Sequence, residues 1–272
     1  VRVGFAADMA SRNAERTKAA AKEKSKIGMF PSKDFPETSR DYYDDTSKTS
    51  FEATAVACNQ LSDSEINLLE LSTEVRVTPT HYVVLDRTMF YPEGGGQLGD
   101  QGQIGKSRVV DTRIEGGVIF HLTDSEVPLG KVSAEVSRER RSQLMDHHTA
   151  VHIVGGSSRA LLGPHIWQAG SSKGFRYARI DLTHHSRLSR KELDRIEDHA
   201  NSIIEANIPV EKLVMHRAEA DEKFGFEIYQ GGPPKQAEIR VIRIGNHDTQ
   251  ACGGTHHDST GQIGELRIIR SS

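Results

Sequence analysis

Two short motifs hold the residues best suited to chemistry. The segment His148–His152 (His-Thr-Ala-Val-His) places two imidazoles four residues apart, a spacing that puts both on one face of a helix. The segment Cys252–His256 (Cys-Gly-Gly-Thr-His) adds a thiol and a third imidazole, and its two glycines favour a tight turn. Nitrogen and sulfur ligands of this kind are the set that zinc prefers. The sequence therefore predicts a zinc site formed by His148, His152, Cys252 and His256.

Two other interpretations of these motifs stay open. The chain has 13 histidines, so a pair at this spacing can arise by chance, and the two also share a helix face with Leu144, as core histidines would. The cysteine motif is rarer, in a chain whose only cysteines are Cys58 and Cys252, and the combination favours a metal. Four protein ligands are typical of a structural zinc site, whereas catalytic zinc keeps one position open. Neighbouring His147 and His257 leave the identity of the ligands partly ambiguous.

A glycine-rich motif spans Phe90–Gly102, with five glycines among residues 94–102. Glycines without side chains let backbone amides approach a ligand such as a phosphate closely. The motif is not a nucleotide-binding P-loop, because no Lys-Ser or Lys-Thr pair follows it. A structural turn between two strands explains the same residues equally well.

The elements that must position these motifs change in character along the chain. Residues 1–28 have a helical, basic pattern, and a linker with prolines follows. Short apolar runs separated by turns, from Phe51 to about Ser137, predict a small β-barrel. Beyond residue 138, helices and strands mix without a βαβ repeat, which predicts an α+β fold with a largely antiparallel sheet. The elements expected there are helices at Arg141–Leu162 and Lys191–Ala206 and strands at Ile166–Ala169, Tyr177–Leu182, Val210–Met215, Ile239–Ile244 and Gly264–Ile269.

Composition excludes several classes of protein. No window of the 272 residues is apolar enough for a membrane span, and two cysteines are too few for a disulfide framework. The net charge of −3 does not indicate nucleic-acid binding by itself, although a local basic patch can still bind RNA. Because the chain starts at Val1 and shows no export signal, we expect a cytoplasmic fragment of a longer protein.

Taken in order, the motifs resemble the editing domain of archaeal-type alanyl-tRNA synthetases and the related free-standing alanyl-tRNA editing proteins. The resemblance covers residues from about 37 to 269 and includes the segments Trp167–Ser171 and Arg179–His184. The editing domain of threonyl-tRNA synthetases shares the zinc-type motifs, but the glycine-rich motif and the barrel favour the alanine branch. One departure is Val151, where the family often has threonine.

The resemblance implies a function and an organisation. Residues 1–49 would end a tRNA-recognition region, residues 50–138 would form the barrel, and residues 139–272 would form a zinc-binding deacylase. The domain would use Zn²⁺ to hydrolyse the ester of seryl- or glycyl-tRNA(Ala), and its parent enzyme would ligate alanine to tRNA with ATP. We expect a monomeric fragment, a parent that can dimerise, and no membrane partner.

Several further residues are candidates for this site. Gly94, Gly95, Gly96 and Gln97 would contact the tRNA end. Gln168 is a candidate for a neutral polar group in the pocket, although a surface strand residue fits the pattern equally well. Asp181 lies between apolar neighbours on a predicted strand and is a candidate partner for a ligating histidine.

Two other functions compete with this one. A zinc-stabilised RNA-binding module without a reaction would carry the same ligands. A zinc peptidase also pairs histidines at this spacing, but it needs a glutamate where this chain has Thr149.

Overall fold

The computed structural model describes residues 29–230, 232–234 and 236–271. The helix predicted for residues 1–28 therefore lies outside the described residues. The rest combines antiparallel sheets with packed helices, as the α+β prediction required. None of the helices in the described ranges is both long enough and apolar enough to cross a membrane.

Short strands dominate the chain from residue 39 to residue 136. Six of them, β2, β3, β7, β6, β5 and β8, pair in that order into a closed barrel, while β1 and β4 form a separate parallel pair. Helix α1 (Asp63–Leu68) follows the first barrel strand and begins with a capping box at Ser62. The strands are β1 (Ser39–Arg40), β2 (Ser50–Gln60), β3 (His81–Leu85), β4 (Arg87–Thr88), β5 (Gly102–Ile104), β6 (Ser107–Glu115), β7 (Val118–Thr123) and β8 (Gly130–Val136).

The barrel is packed on both faces of its central strands. In β3, Val83 and Leu85 join one apolar cluster, while Tyr82 and Val84 join another, since successive side chains of a strand point to opposite faces. Phe30 belongs to the second cluster and stacks on Phe120 with 4.4 Å between ring centroids. This covering explains why β3 lacks the polar alternation of a half-exposed strand.

A histidine lies inside this barrel wall. His121 of β7 is fully buried, and its Nδ1 donates to the carbonyl of Val83 at 3.0 Å. Its Nε2 therefore accepts from the hydroxyl of Thr88 at 2.8 Å. Burial disfavours the charged imidazolium and lowers the pKa of His121 to about 4. The imidazole is consequently neutral at physiological pH.

Two helices and a three-stranded sheet form the core after residue 137. Helix α2 (Arg138–Leu162) begins after the Ser137 cap and is followed by Gly163, and α3 (Arg190–Glu205) begins with a capping box of Ser189 and Glu192. The sheet has the order β11-β12-β13. Helices α2 and α3 pack on one face of this sheet, and α4 packs on the opposite face. Strands β9 and β10 form a separate antiparallel hairpin. These later elements are β9 (Gln168–Lys173), β10 (Ala178–Leu182), β11 (Val210–His216), α4 (Arg217–Phe224), β12 (Glu238–Ile244) and β13 (Asp248–Ala251).

The predicted strand at Gly264–Ile269 is wrong. A short 3₁₀ helix at Thr260–Ile263 precedes it, and the segment itself has no regular structure. Side chains of α3 take the backbone groups that a neighbouring strand would have bonded: Asn201 accepts from the amide of Leu266, and Glu197 accepts from the amide of Ile268. The third strand of the sheet is instead β13, which the sequence did not indicate.

A buried ion pair joins the first turn of α2 to the glycine-rich motif. The guanidinium of Arg141 pairs with Asp100 and donates to the carbonyls of Met89 and Thr46. Arg140 donates to the carbonyl of Gly99 at 3.1 Å. Removing one partner of such a pair leaves an uncompensated buried charge, which costs about 3–5 kcal/mol. The barrel and α2 are thus held in one fixed relation.

Candidate metal centre

The structure brings the four predicted ligands to one point. One ligand atom from each of His148, His152, Cys252 and His256 lies within 4.8 Å of the others. The Sγ of Cys252 is 3.3 Å from Nε2 of His148 and 3.4 Å from Nε2 of His256. Three imidazole nitrogens and one sulfur at such separations form a compact donor set.

The first pair of ligands comes from the middle of α2. His148 and His152 are one helical turn apart, and their ring centroids are separated by 5.6 Å. Both side chains are buried. Gly156 lies one turn further on, where a Cβ would come within 2.7 Å of Nε2 of His247. The lack of a side chain at Gly156 therefore allows the loop after β12 to pack closely against the helix.

The second pair comes from the turn after β13. Gly254 packs against the ring of His148 so closely that a Cβ there would lie 2.0 Å from its Cε1. Arg240 of β12 donates to the carbonyls of Cys252 and Gly254, at 3.1 and 2.7 Å. The hydroxyl of Tyr43 donates to the carbonyl of Gly253 at 2.7 Å. These contacts fix the turn that carries the thiol.

Each of the three histidines that could bind a metal has a hydrogen-bond partner on one of its two ring nitrogens. Nδ1 of His148 is 2.7 Å from Oε1 of Gln97, Nδ1 of His152 is 2.9 Å from Asp248, and Nδ1 of His256 is 3.2 Å from the hydroxyl of Thr149. Such partners fix the orientation and the tautomer of a ligating imidazole. In all three rings, Nε2 is the nitrogen left free to bind a metal.

The orientation of the Gln97 amide follows from its contacts with Thr255. Oε1 accepts from the backbone amide of Thr255 at 3.1 Å, and Nε2 donates to its hydroxyl at 2.9 Å. Because Oε1 is an acceptor, Nδ1 of His148 carries the hydrogen. The side chain of Gln97 thereby contacts both His148 on α2 and the turn that contains Cys252 and His256.

Protonation at the centre favours metal binding at three of the four ligands. Burial lowers the pKa of His148 to about 4 and that of His256 well below its ordinary value, so both rings are neutral. Burial alone would raise the pKa of the Cys252 thiol, but His148 and His256 outweigh it and hold that pKa well below 9. For His152 burial lowers the pKa, but the bond to Asp248 prevails and raises it to about 9. A metal would displace that proton.

Comparison with known proteins places the chain in a family. A family model described as tRNA synthetases class II (A) matches residues 2–140, just over half of the chain. The chain belongs to the alanyl-tRNA synthetase family. A second model, described as the threonyl and alanyl tRNA synthetase second additional domain, matches residues 239–272, which include Cys252 and His256.

Archaeal alanine–tRNA ligases are similar over most of this chain. The protein of Methanopyrus kandleri is 42% identical over 242 residues, which is 87% of this chain and 25% of the relative. The protein of Pyrobaculum neutrophilum is 41% identical over 274 residues, or 97% of this chain and 28% of the relative. That of Halorubrum lacusprofundi is 39% identical, covering 88% of this chain and 24% of the relative. The chain therefore spans about a quarter of the length of the curated relatives it matches.

Of the residues expected at the tRNA end, the glycines and Gln97 have different surroundings. Gly95 and Gly96 are exposed, both with positive φ, and a Cβ at Gly96 would meet the carbonyl of Ser171 at 2.3 Å. Gly94 turns back on Gln97 through two backbone hydrogen bonds. Gln97 itself is fully buried, and its side chain bonds His148. Contact of residues 94–97 with a tRNA end stays a prediction.

The two predicted polar residues lie on the β9–β10 hairpin. Gln168 is half-buried, and its amide donates to Oγ of Ser171 at 3.2 Å. The carboxylate of Asp181 is 45% exposed and pairs with Arg179 at 3.1 Å. Asp181 is therefore not the histidine partner that the sequence suggested. The carboxylate that bonds one of these histidines is that of Asp248, which is buried and contacts His152.

Lys173 is a residue that sequence patterns did not single out. It is 2% exposed at the end of β9, and its amine donates to the carbonyl of Gly95 and to Oγ of Ser171. Its backbone also bonds Gly96 and Leu98. Burial lowers the pKa of the amine to about 8. An isolated lysine in a predicted strand gives no signal, because only the folded chain shows that it is buried beside the metal centre.

Proposed function

We propose that this chain is the editing part of an alanine–tRNA ligase, a hydrolase that removes serine or glycine from mischarged tRNA(Ala). The observation that carries the proposal is the cluster of His148, His152, Cys252 and His256, with each imidazole held by a partner on its other nitrogen. The family membership supports a tRNA substrate, and we assign the aminoacyl ester at the 3′ end of that tRNA as the bond that is cleaved.

A second hydrolytic site meets a physical need of the parent enzyme. Serine and glycine differ from alanine by one hydroxyl or one methyl group. A binding pocket discriminates such small differences by only about 1–3 kcal/mol, which is insufficient for accurate protein synthesis. Hydrolysis of the wrong ester at a separate site is the usual remedy. The proposal assigns this second site to residues 139–272, with the barrel of residues 50–138 as its support.

The residues at the centre fit zinc. Three imidazoles and a thiolate are a donor set that zinc prefers. Because Gly254 has no side chain, the ring of His148 has room beside it. Zinc bound there would supply Lewis-acid activation for attack of water on the ester carbonyl. Among the four ligands, Cys252 is the one that is not fully buried, and Gly253 beside it is exposed. The aminoacyl end would approach from that side.

Other groups of the chain would position the substrate. The exposed glycines of the glycine-rich motif offer open backbone close to the centre, and Lys173 fixes their carbonyls. Its amine, with a pKa of about 8, carries a positive charge that would attract the phosphates of a tRNA end. Gln168 lies on the same hairpin and presents a neutral amide.

A peptidase is a weaker candidate than a deacylase. The base of a peptidase of the His-Glu-x-x-His type would stand at position 149, where this chain has a threonine. The hydroxyl of Thr149 is 3.2 Å from Nδ1 of His256 and also accepts from the amide of His257, so it orients a ligand. A non-catalytic zinc module remains the second candidate, because four protein ligands are typical of structural sites.

One experiment separates the two candidates. Hydrolysis of seryl-tRNA(Ala) and of correctly charged alanyl-tRNA(Ala) is measured with the chain before and after treatment with a zinc chelator. An editing enzyme hydrolyses the seryl ester much faster, loses this activity with the chelator and regains it with added zinc. A structural module binds tRNA but hydrolyses neither ester above the rate in buffer, and that result would end the proposal.

A further inference from the structure

A second cluster of imidazoles lies away from the metal centre, at the open end of the β9–β10 hairpin. His165 precedes β9, and His184 and His185 follow β10. Antiparallel pairing of the strands, with Gln168 opposite Leu182, brings these two flanking segments together. One ring nitrogen from each histidine lies within 4.8 Å of the others. The chain therefore presents three nitrogen donors at one surface point.

The backbone around this cluster is already fixed. The amide of Thr183 donates to the carbonyl of Trp167 at 2.9 Å, and the amide of Trp167 donates to the hydroxyl of Thr183 at 2.8 Å. The same hydroxyl donates to the carbonyl of His165 at 2.7 Å. Gly163 leaves room for the His165 ring, whose Nδ1 would be 3.2 Å from a Cβ there. A ligand would have to order only side-chain torsions, which keeps the entropic cost of binding small.

The chemical state of the three rings suits metal binding. Nε2 of His165 is 2.9 Å from Nδ1 of His184, and one nitrogen of such a pair must accept, so at least one of the two rings is neutral. The ring centroids of His184 and His185 are 4.2 Å apart. In the described part of the chain, the histidines that form ion pairs with a carboxylate within 4 Å are His152 and His257, so none of the three rings of this cluster is held in such a pair.

We infer that His165, His184 and His185 form a second metal site, which binds one divalent transition-metal ion such as Zn²⁺, Ni²⁺ or Cu²⁺. Imidazole nitrogen suits these ions, whereas Mg²⁺ and Ca²⁺ require oxygen ligands. Two of the three rings are exposed and the third is half-buried, so water completes the coordination and the metal exchanges with solvent. The site has no thiolate, which distinguishes it from the centre at Cys252.

The bound metal would brace the hairpin at one end. The other end already meets the glycine-rich motif through Lys173, whose backbone bonds Gly96 and Leu98. A metal that joins His165 to His184 and His185 ties the start of β9 to the end of β10. Local opening of the hairpin then requires release of the metal, so bound metal protects its amides from hydrogen exchange.

The stoichiometry of zinc tests the inference. Chain without an affinity tag is dialysed against a micromolar excess of Zn²⁺, and bound metal is measured by elemental analysis. We expect two zinc ions for each wild-type chain, and one for His184→Ala and for His185→Ala. His81→Ala is the matched control, because His81 belongs to neither cluster, and it should retain two. Circular dichroism establishes that each variant is folded.

A second arm separates this inference from the proposed function. In a Cys252→Ala background one zinc ion should remain, and adding His184→Ala should remove it. Hydrogen exchange at the amides of Trp167 and Thr183 should slow when zinc is added to the Cys252→Ala chain and should not change in the double variant. A wild-type chain that binds a single zinc ion at saturation, or a folded His184→Ala variant that still binds two, would overturn the inference.

Discussion

Replacing Gln97 with leucine tests whether the glycine-rich motif controls the metal centre. The side chain makes three buried hydrogen bonds, with Nδ1 of His148 and with the amide and hydroxyl of Thr255. Leucine is similar in size but cannot make any of them. Loss of a hydrogen-bond partner of a ligating histidine typically weakens metal binding about 10–100-fold, or about 1.4–2.7 kcal/mol. We expect Gln97→Leu to weaken zinc binding by an amount in this range.

The same substitution also affects stability, so two further variants are needed. Each buried polar group left without a partner costs about 1–3 kcal/mol. Gln97→Glu retains an acceptor for His148 and for the amide of Thr255. This variant should therefore bind zinc more tightly than Gln97→Leu. Gln101→Leu is the matched control, since Gln101 lies in the same motif and donates to the carbonyl of Val110 at 2.8 Å, away from the centre. It should lower stability without changing zinc affinity.

Competition with a chromophoric chelator at constant pH measures zinc affinity for all three variants, and urea unfolding with excess chelator measures their stability. The reasoning requires Gln97→Leu to lose affinity while Gln101→Leu does not. If folded Gln97→Leu binds zinc within twofold of the wild type, the hydrogen bond does not orient His148. The proposed coupling between the glycine-rich motif and the metal centre would then be wrong.

Three further predictions concern other parts of the molecule. Cys252→Ala should weaken zinc binding more than about 100-fold and abolish hydrolysis of seryl-tRNA(Ala), while circular dichroism stays nearly unchanged because the apolar cores do not depend on the metal. Gly254→Ala should also weaken zinc binding, as measured by chelator competition, because its Cβ would collide with the His148 ring. The buried His121, with its pKa lowered to about 4, should make the protein less stable in acid by up to about 3 kcal/mol.

The sign of the acid effect follows from the two protonation equilibria of His121. The unfolded chain takes up the proton near pH 6.5 and the folded chain only near pH 4, so stability is present above pH 6.5 and is lost as the pH falls towards 4. Urea unfolding at pH 7 and pH 5 measures this loss. His121→Gln can keep both hydrogen bonds without titrating, and it should show a smaller loss. Equal losses in the two proteins would show that His121 is not responsible.

Each of the other two predictions has its own control. Gly253→Ala is the control for Gly254→Ala, because a Cβ at Gly253 would lie 3.4 Å from the Tyr43 hydroxyl, which is an ordinary contact distance. Equal zinc affinity for these two alanine variants would contradict the steric explanation. Full hydrolysis by Cys252→Ala would show that zinc is not catalytic, whereas unfolding of this variant would favour a structural role for the metal.

Patterns that are local in sequence predicted well. The spacing of His148 and His152 placed both imidazoles on one face of a helix, and that helix exists as α2. The helix predicted at Lys191–Ala206 exists as α3, which spans Arg190–Glu205. Such features depend on residues three or four positions apart, whose geometry an α-helix determines. Sequence alone was therefore sufficient for the helix that carries two of the four candidate ligands.

Partners distant in sequence could not be predicted. Asp181 and Asp248 both lie on strands, but only Asp248, 96 positions from His152, bonds it. Choosing between them requires the register and packing of strands, which no local pattern contains. The same limit explains why the bond between Gln97 and His148, which lie 51 positions apart, was not predicted.

The contact of Gln97 with His148 also affects the order in which the molecule can assemble. Gln97 and Thr255 are separated by 158 positions, and His148 and Cys252 by 104. Contacts between residues so far apart form slowly, because a long loop must close before any of them contributes. The barrel and the β11–β13 sheet can each form from nearer contacts, whereas the metal centre requires both to have docked on α2. Tight zinc binding during refolding would therefore mark one of the last steps, the point at which the barrel, the helix and the final turn have come together.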